Sequence, residues 1–167
     1  RDKSDDTHKR LSQATLLRDL CDQFNALLII NDDIELTLQS NADGIHLGKD
    51  DSSLSTARQQ LGEKAIIGLS CYNDIDAALD AQKQGANYVA FGAVYASATK
   101  PGAITITLET LVNAKARLSL PVCAIGGINI NNAKQVFDAG ADMVAVISGL
   151  FAQPQIKLAS RQISDLS

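Results

Sequence analysis

Apolar residues fall in short runs separated by stretches with a helical period. The runs cover residues 27–31, 44–47, 65–70, 88–92, 121–127 and 143–148 and read LLIIN, GIHL, AIIGLS, YVAFG, PVCAIGG and MVAVIS. Near-continuous apolarity of this kind predicts parallel strands buried on both faces. The intervening residues 33–40, 52–61, 74–84, 107–118 and 131–139 predict helices. So do residues 5–24 before the first strand and 154–164 after the last, where Pro154 suits a helix start. In residues 5–24 the spacing of Leu11, Ala14, Leu16, Leu17, Leu20 and Phe24 is close to one face of a helix. A small phrase recurs before three strands: Asn41-Ala42-Asp43, Gly85-Ala86-Asn87 and Gly140-Ala141-Asp142. Its first residue suits the left-handed conformation that stops a helix. The repetition implies stacked βα units.

Strict βα alternation leaves two architectures, an open doubly wound sheet and a (β/α)₈ barrel. The barrel needs eight strands and typically ~250 residues. This chain has 167 residues, a one-domain length. It opens on Arg1-Asp2-Lys3 running into a helix, as the tail of a strand would. The expected fold is therefore α/β, a TIM barrel lacking its first βα unit and most of its second strand, with residues 1–167 as a single domain. Without those strands, residues 27–31 and 143–148 would form unpaired edges. The chain does not begin with Met, and its one methionine is Met143, which fits a processed, trimmed or incomplete N-terminus.

Composition narrows the function. Forty-six per cent hydrophobic and 20% charged residues are ordinary globular values. A net charge of −4 argues against nucleic acid as a partner and gives no basic face for a membrane. No apolar run is long enough to span a bilayer, and no signal peptide opens the sequence, so a cytoplasmic location is expected. Cys21, Cys71 and Cys123 match neither a disulfide framework nor a zinc pattern. All three are expected as buried thiols in a reducing cytosol; Cys71, just past an expected strand end, is alternatively placed to touch a ligand, with no adjacent His to activate it.

Both architectures put chemistry at the C-terminal ends of strands. Asn31 and Asp32 follow the first run, and Gly48, Lys49, Asp50 and Asp51 the second. Asp32 and Asp51 can converge on a hard cation, or each can cap the helix after it. Ser70 and Cys71 end the third run. Ser97, Thr99 and Lys100 lie in a hydroxyl-rich loop after the fourth, which either meets phosphate oxygens or is simply solvated. Gly126-Gly127 and Ser148-Gly149 end the last two, where barrels commonly seat a phosphate on backbone amides. The glycines would let the oxyanion approach, or serve only a tight turn. His46 is expected as a hydrogen-bonded strand residue and His8 as an exposed one. Arg1 and Lys3 belong at the same rim. No nucleophile–base pair and no dinucleotide fingerprint is present. The inventory suits a diphosphate handled through Mg²⁺ beside a separate monophosphate, by electrostatic and positional catalysis.

The pieces RDK, IINDD, ADGIHLGKDD, IIGLS, YVAFGAVYASATK, AIGGI and GADMVAVIS, in that order, resemble the thiamine-phosphate synthase (thiamine-phosphate pyrophosphorylase) family. The resemblance covers nearly the whole chain and implies a (β/α)₈ barrel. It implies a Mg²⁺-dependent transferase that joins hydroxymethylpyrimidine diphosphate to thiazole phosphate through a dissociative step and releases pyrophosphate. Carried over to this sequence, Asp32 and Asp51 would hold Mg²⁺. Arg1, Lys3, Asn31 and Lys100 would grip the diphosphate, with Ser70 nearby. Ser97 and Thr99 would meet the thiazole phosphate side, and Gly127, Ile147 and Ser148 would cradle that phosphate opposite the metal. Departures from the family pattern are Lys49-Asp50 for Gln-Glu, Cys71-Tyr72 for a small residue or Thr with His, Ala96-Ser97 for Pro-Thr, and a short loop after Lys100. The alternatives are the thiazole tautomerase of the same fold, which relies on a His where Cys71-Tyr72-Asn73 stands, and a non-catalytic phosphate-binding paralogue. Small-molecule substrates are the expected partners, and assembly into a homo-oligomer stays open.

Overall fold

The computed structural model describes residues 4–48, 51–96 and 104–166. The expected strands are present as β1 (Ile29–Asn31), β2 (Gly44–Leu47), β3 (Ile66–Tyr72), β4 (Tyr88–Gly92), β5 (Val122–Ile125) and β6 (Met143–Ala145). The helices are α1 (Thr7–Gln23), α2 (Ile34–Gln39), α3 (Leu54–Leu61), α4 (Ile75–Lys83), α5 (Leu108–Arg117), α6 (Ala133–Asp138), α7 (Ser148–Phe151) and α8 (Ile156–Ser164). Several ends differ from expectation: β1 begins at Ile29, and β5 stops at Ile125, before the diglycine. β3 runs on to Tyr72, so Ser70 and Cys71 are strand residues. β6 stops at Ala145, and residues expected at its end turn into the short α7.

Local chemistry sets the helix boundaries. The carboxylates of Asp6, Asp33 and Asp74 accept the amides of Lys9, Leu36 and Ala77, each at 2.9 Å, and Ser53 Oγ accepts Thr56 at 3.2 Å. These bonds satisfy amides that a helix N-terminus leaves open. At the other end Asn41, Gly85 and Gly140, the first residues of the repeated phrase, have φ of +50°, +85° and +97°. They stop the chain in the left-handed region, as their positions predict.

The chain divides into two compact units. One runs up to Leu69 and includes Gln84–Asn87; the other holds Ser70–Lys83 and everything from Tyr88 on. In the first, β1 pairs in parallel with β2, and β2 with β3, with Asn31 level with His46 and His46 level with Gly68. Helix α2 packs on β1 and β2, and α3 on β2. Ala14, Leu28 and Ile30 form a small buried cluster with Cys21, Leu36 and Ala42 against it. The inward face of α1 is not the leucine arc that its spacing suggests. Leu16 is 66% and Phe24 74% exposed, whereas Arg10, Ala14, Arg18 and Cys21 face inward. In the second unit β4, β5 and β6 pair in parallel, Val89 level with Val122 and Cys123 with Met143. Phe91, Val89, Val122, Leu111 and Val136 are fully buried there.

The last residue of the repeated phrase has a structural task that its position alone does not reveal. Asp43 donates its amide to the Leu28 carbonyl at 2.9 Å, and its carboxylate accepts the Leu28 amide at 2.7 Å. Asn87 does the same to Ile67, at 2.8 Å and 2.8 Å, and Asp142 to Val122, at 2.8 Å and 2.8 Å. Each thus grips both backbone groups at the entry of the preceding strand. A cation from an earlier helix holds each acceptor in turn: Arg18 on Asp43, Arg58 on Asn87 at 2.9 Å, and Lys115 on Asp142 at 2.6 Å. Burial alone would raise the Asp43 carboxyl, but the Leu28 amide and the Arg18 guanidinium outweigh it and hold it below its ordinary value.

Asp43→Ala should therefore cost about 1–3 kcal/mol in urea unfolding, because it strands the Leu28 amide and Arg18. Asp43→Asn should cost less. A lowered folded pKa adds stability above the unfolded value and loses it as pH falls through the folded one. Acid unfolding of the wild type should accordingly show a component below pH ~4 that Asp43→Asn lacks.

Candidate functional site

In the first unit the chain leaves β1 beside the end of β2. The Asp32 amide donates to the His46 carbonyl at 2.9 Å, and the Asp33 amide donates back to the Asn31 carbonyl at 2.9 Å. Asp32 sits between them with φ +67°, in a tight three-residue turn. A left-handed conformation at a non-glycine residue costs of order 1–3 kcal/mol and persists only where its surroundings impose it. The capping alternative for the two acids does not hold. Asp33, not Asp32, caps α2, and Ser53, not Asp51, caps α3. Asp51 is exposed, and its carboxylate folds back to accept the Gly48 amide at 2.6 Å, at the end of β2.

A cleft of about 440 Å³ opens at this end, lined by Ser4, Asp5, Arg10, Asn31, Asp32, Asp33, Ile34 and Ser52. Its carboxylate, amide and hydroxyl oxygens are the donors a hard cation takes. Among the described residues no three His, Cys, Asp or Glu side chains form a ready metal cage. Half-buried His46 is held below its ordinary pKa by burial, which the charge of Asp51 only partly offsets, so it is neutral near pH 7.

Spacing alone had not pointed to Ser4, Asp5, Arg10, Asp33 or Ser52. The available signal was in α1, where Arg10, Ala14, Arg18 and Cys21 recur at intervals of three and four residues. Arginines on that stripe look solvated until the leucine arc beside it proves to be the exposed one.

The second unit holds the other predicted residues that the structure describes. Ser70 is half-buried in β3. Cys71 is 2% exposed, and burial, with the charge of Asp74 acting in the same direction, pushes its thiol up to about 12. It is protonated at neutral pH and inside the strand, which is the buried-thiol reading of this cysteine and not its place at a ligand. Gly126 and Gly127 have φ of +103° and +62°. A Cβ on Gly127 would lie 2.6 Å from the Ala96 carbonyl oxygen and 2.7 Å from Tyr95 Cβ; one on Gly126 would lie 2.5 Å from Ala93 Cβ. The loop after β4 thus lies against the diglycine, tied by Val94 to Ile125 at 2.9 Å and Tyr95 to Gly126 at 3.0 Å. The immediate need for glycine is this contact rather than open access for an anion. Asn132 donates to the Gly127 carbonyl at 3.1 Å and fixes that peptide. A Cβ on Gly149 would strike the Ile128 carbonyl and Asn129, so the loops after β4, β5 and β6 meet. Ile147 and Ser148 are exposed at the start of α7, where first-turn amides have no acceptor within the helix. Arg1, Lys3, Lys49, Asp50, Ser97, Thr99 and Lys100 lie outside the described residues.

Comparison with known proteins fixes the class. Residues 1–150 match the family model described as thiamine monophosphate synthase. A thiamine-phosphate synthase from Thioalkalivibrio sulfidiphilus is 52% identical over 164 residues, 98% of this chain and 78% of that protein. One from Nitrosococcus oceani is 51% identical over 160 residues, 96% of this chain and 74% of that protein. The solved thiamine phosphate pyrophosphorylase from Pyrococcus furiosus superposes with a TM-score of 0.90 at 32% identity, covering 99% of this chain and 79% of that one. The chain belongs to the thiamine monophosphate synthase family.

The diglycine contact can be tested by substitution. Gly127→Ala combines a positive φ with collisions against the β4 loop and should lower unfolding free energy by about 2–4 kcal/mol. Gly62→Ala, at φ +81° with nothing within 4 Å of its Cβ, should cost only the backbone term, about 1–3 kcal/mol.

Proposed function

We propose that this chain joins hydroxymethylpyrimidine diphosphate to thiazole phosphate, forming thiamine phosphate and releasing pyrophosphate. The carrying observation is the polar cleft where β1 and β2 end together, with Asn31, Asp32 and Ser52 on its wall and Asp51 folded over the end of β2. Family membership supplies the reaction. In this reading the bond between the pyrimidinylmethyl carbon and the diphosphate oxygen breaks. Its electron pair leaves with pyrophosphate, and the thiazole nitrogen supplies the pair for the new C–N bond.

Asp32 and Asp51 hold the divalent cation, taken here as Mg²⁺. When bound, that ion neutralises charge developing on the departing diphosphate. Asn31, Arg1, Lys3 and Lys100 grip the same diphosphate, with Ser70 nearby. Ser97 and Thr99 meet the thiazole phosphate, and Gly127, Ile147 and Ser148 cradle it on backbone amides. No covalent intermediate on the protein is needed, consistent with a protonated, buried Cys71. The work is positional and electrostatic. We take the fold as a (β/α)₈ barrel acting as one catalytic domain on small molecules in the cytoplasm. No helix among the described residues is long and apolar enough to cross a membrane.

Incubation with both substrates and Mg²⁺ should release pyrophosphate and yield thiamine phosphate. Isomerisation of a thiazole without metal would instead favour a tautomerase, and phosphate binding with neither reaction a non-catalytic relative. Asp51→Asn keeps an acceptor for the Gly48 amide but loses the charge. It should lower the rate at least about 100-fold with little change in melting temperature. Full activity of this variant in saturating Mg²⁺ would remove Asp51 from the metal site.

A further inference from the structure

We propose that Arg10 is a positioning residue for the metal site, acting on Asp32 through Asp33. The proposal rests on the reading of Asp32 as a metal ligand. Asp32 sits in its left-handed turn between two anchored points. On one side, its own amide is tied to His46 across the β1–β2 pair. On the other, Asp33 makes every contact available to it. Its amide closes the turn onto Asn31, its Oδ1 caps α2 through Leu36, and its carbonyl accepts both the amide of Thr37 at 3.1 Å and the Thr37 hydroxyl at 2.7 Å. Its remaining carboxylate oxygen, Oδ2, takes the Arg10 guanidinium at 2.5 Å. Arg10 reaches it from α1, 23 residues earlier, with a side chain only 18% exposed.

Capping α2 does not require this pair, since one carboxylate oxygen suffices and a serine would serve. Nor does packing favour it. Arg10 Nε is buried with no hydrogen-bond partner among the described residues, a cost that an apolar side chain would not carry. What the second oxygen adds is orientation. With both oxygens engaged, the Asp33 side chain cannot rotate, and the turn that aims Asp32 at the cleft is held from both ends. Partners that orient metal ligands typically matter about 10–100-fold in metal affinity.

The test is Mn²⁺ binding to the full chain without substrates, measured from the electron paramagnetic resonance signal of free Mn²⁺. Arg10→Met should raise the Mn²⁺ Kd about tenfold while shifting the melting temperature little. Asp33→Ser keeps the cap but removes the pair, and it should raise Kd similarly. The double variant should be no weaker than either single one, as expected for residues acting as one unit. Arg10→Lys should recover part of the loss. In turnover the metal concentration for half-maximal rate should rise, with the rate at saturating metal within about twofold of wild type.

An unchanged Kd in Arg10→Met, with binding lost in Asp32→Asn, overturns the positioning role and leaves the metal assignment standing. Unchanged binding in Asp32→Asn overturns that assignment, and the role of Arg10 falls with it. Should Arg10→Met fail to fold, Asp33→Ser decides in its place by the same criterion.

Discussion

A side chain that grips both backbone groups of a residue at the entry of the neighbouring strand is the constraint on which this architecture depends. Parallel strands have no hairpin to set their register. Those paired here are three to seven residues long and offer few ladder bonds. Asp43, Asn87 and Asp142 supply the missing specification. Each closes a two-point ring onto Leu28, Ile67 or Val122 and is braced by Arg18, Arg58 or Lys115. The device recurs at every second strand, always joining an even-numbered strand's entry to the strand before it. Because a one-residue slip would turn every side chain to the opposite face, these rings also determine which residues each strand presents at its far end.

Fixing register at the N-terminal ends leaves the C-terminal ends free for chemistry, the division of labour expected of parallel α/β folds. The end of β1 shows how fully the two tasks are separated. Asp33 caps α2 and Ser53 caps α3, so neither Asp32 nor Asp51 is consumed in holding a helix. Asp32 is instead kept in a costly turn facing a polar cleft. In the second unit, tight glycine contacts bring together the loops after β4, β5 and β6 and set the amides around Gly127 and Ser148.

The strands and most helices were legible from apolar runs and left-handed stop residues, because burial on both faces and the geometry of a helix end both leave marks in composition. The placing of Asn31, Asp32 and Asp51 at this sheet end could be read from the sequence, because Asn31 closes β1, Asp32 follows it, and Asp51 lies in the short loop after β2. The rest depended on contacts far apart in sequence. Cys71 looked like a rim residue because its strand continues two positions past the apolar run, and Tyr72 ends it with φ +55°. The diglycine could be read as anion access or as a tight turn, and its contact with the loop after β4 leaves no mark in the spacing. Arg10 and Arg18 were obscured by the leucines of α1, whose spacing imitates a core-facing stripe although Leu16 and Phe24 face outward. A helix with two candidate stripes can be oriented only once its partners are known.

The account turns on whether one cation is shared by two neighbouring strand ends. The direct measurement is a crystal structure grown with Mn²⁺ and pyrophosphate, with the metal located by its anomalous scattering. The account predicts a single strong peak with carboxylate oxygens of both Asp32 and Asp51 at about 2.1 Å, its other positions filled by pyrophosphate and water. A peak coordinated by neither acid, or the two carboxylates too far apart to reach one ion, would contradict it.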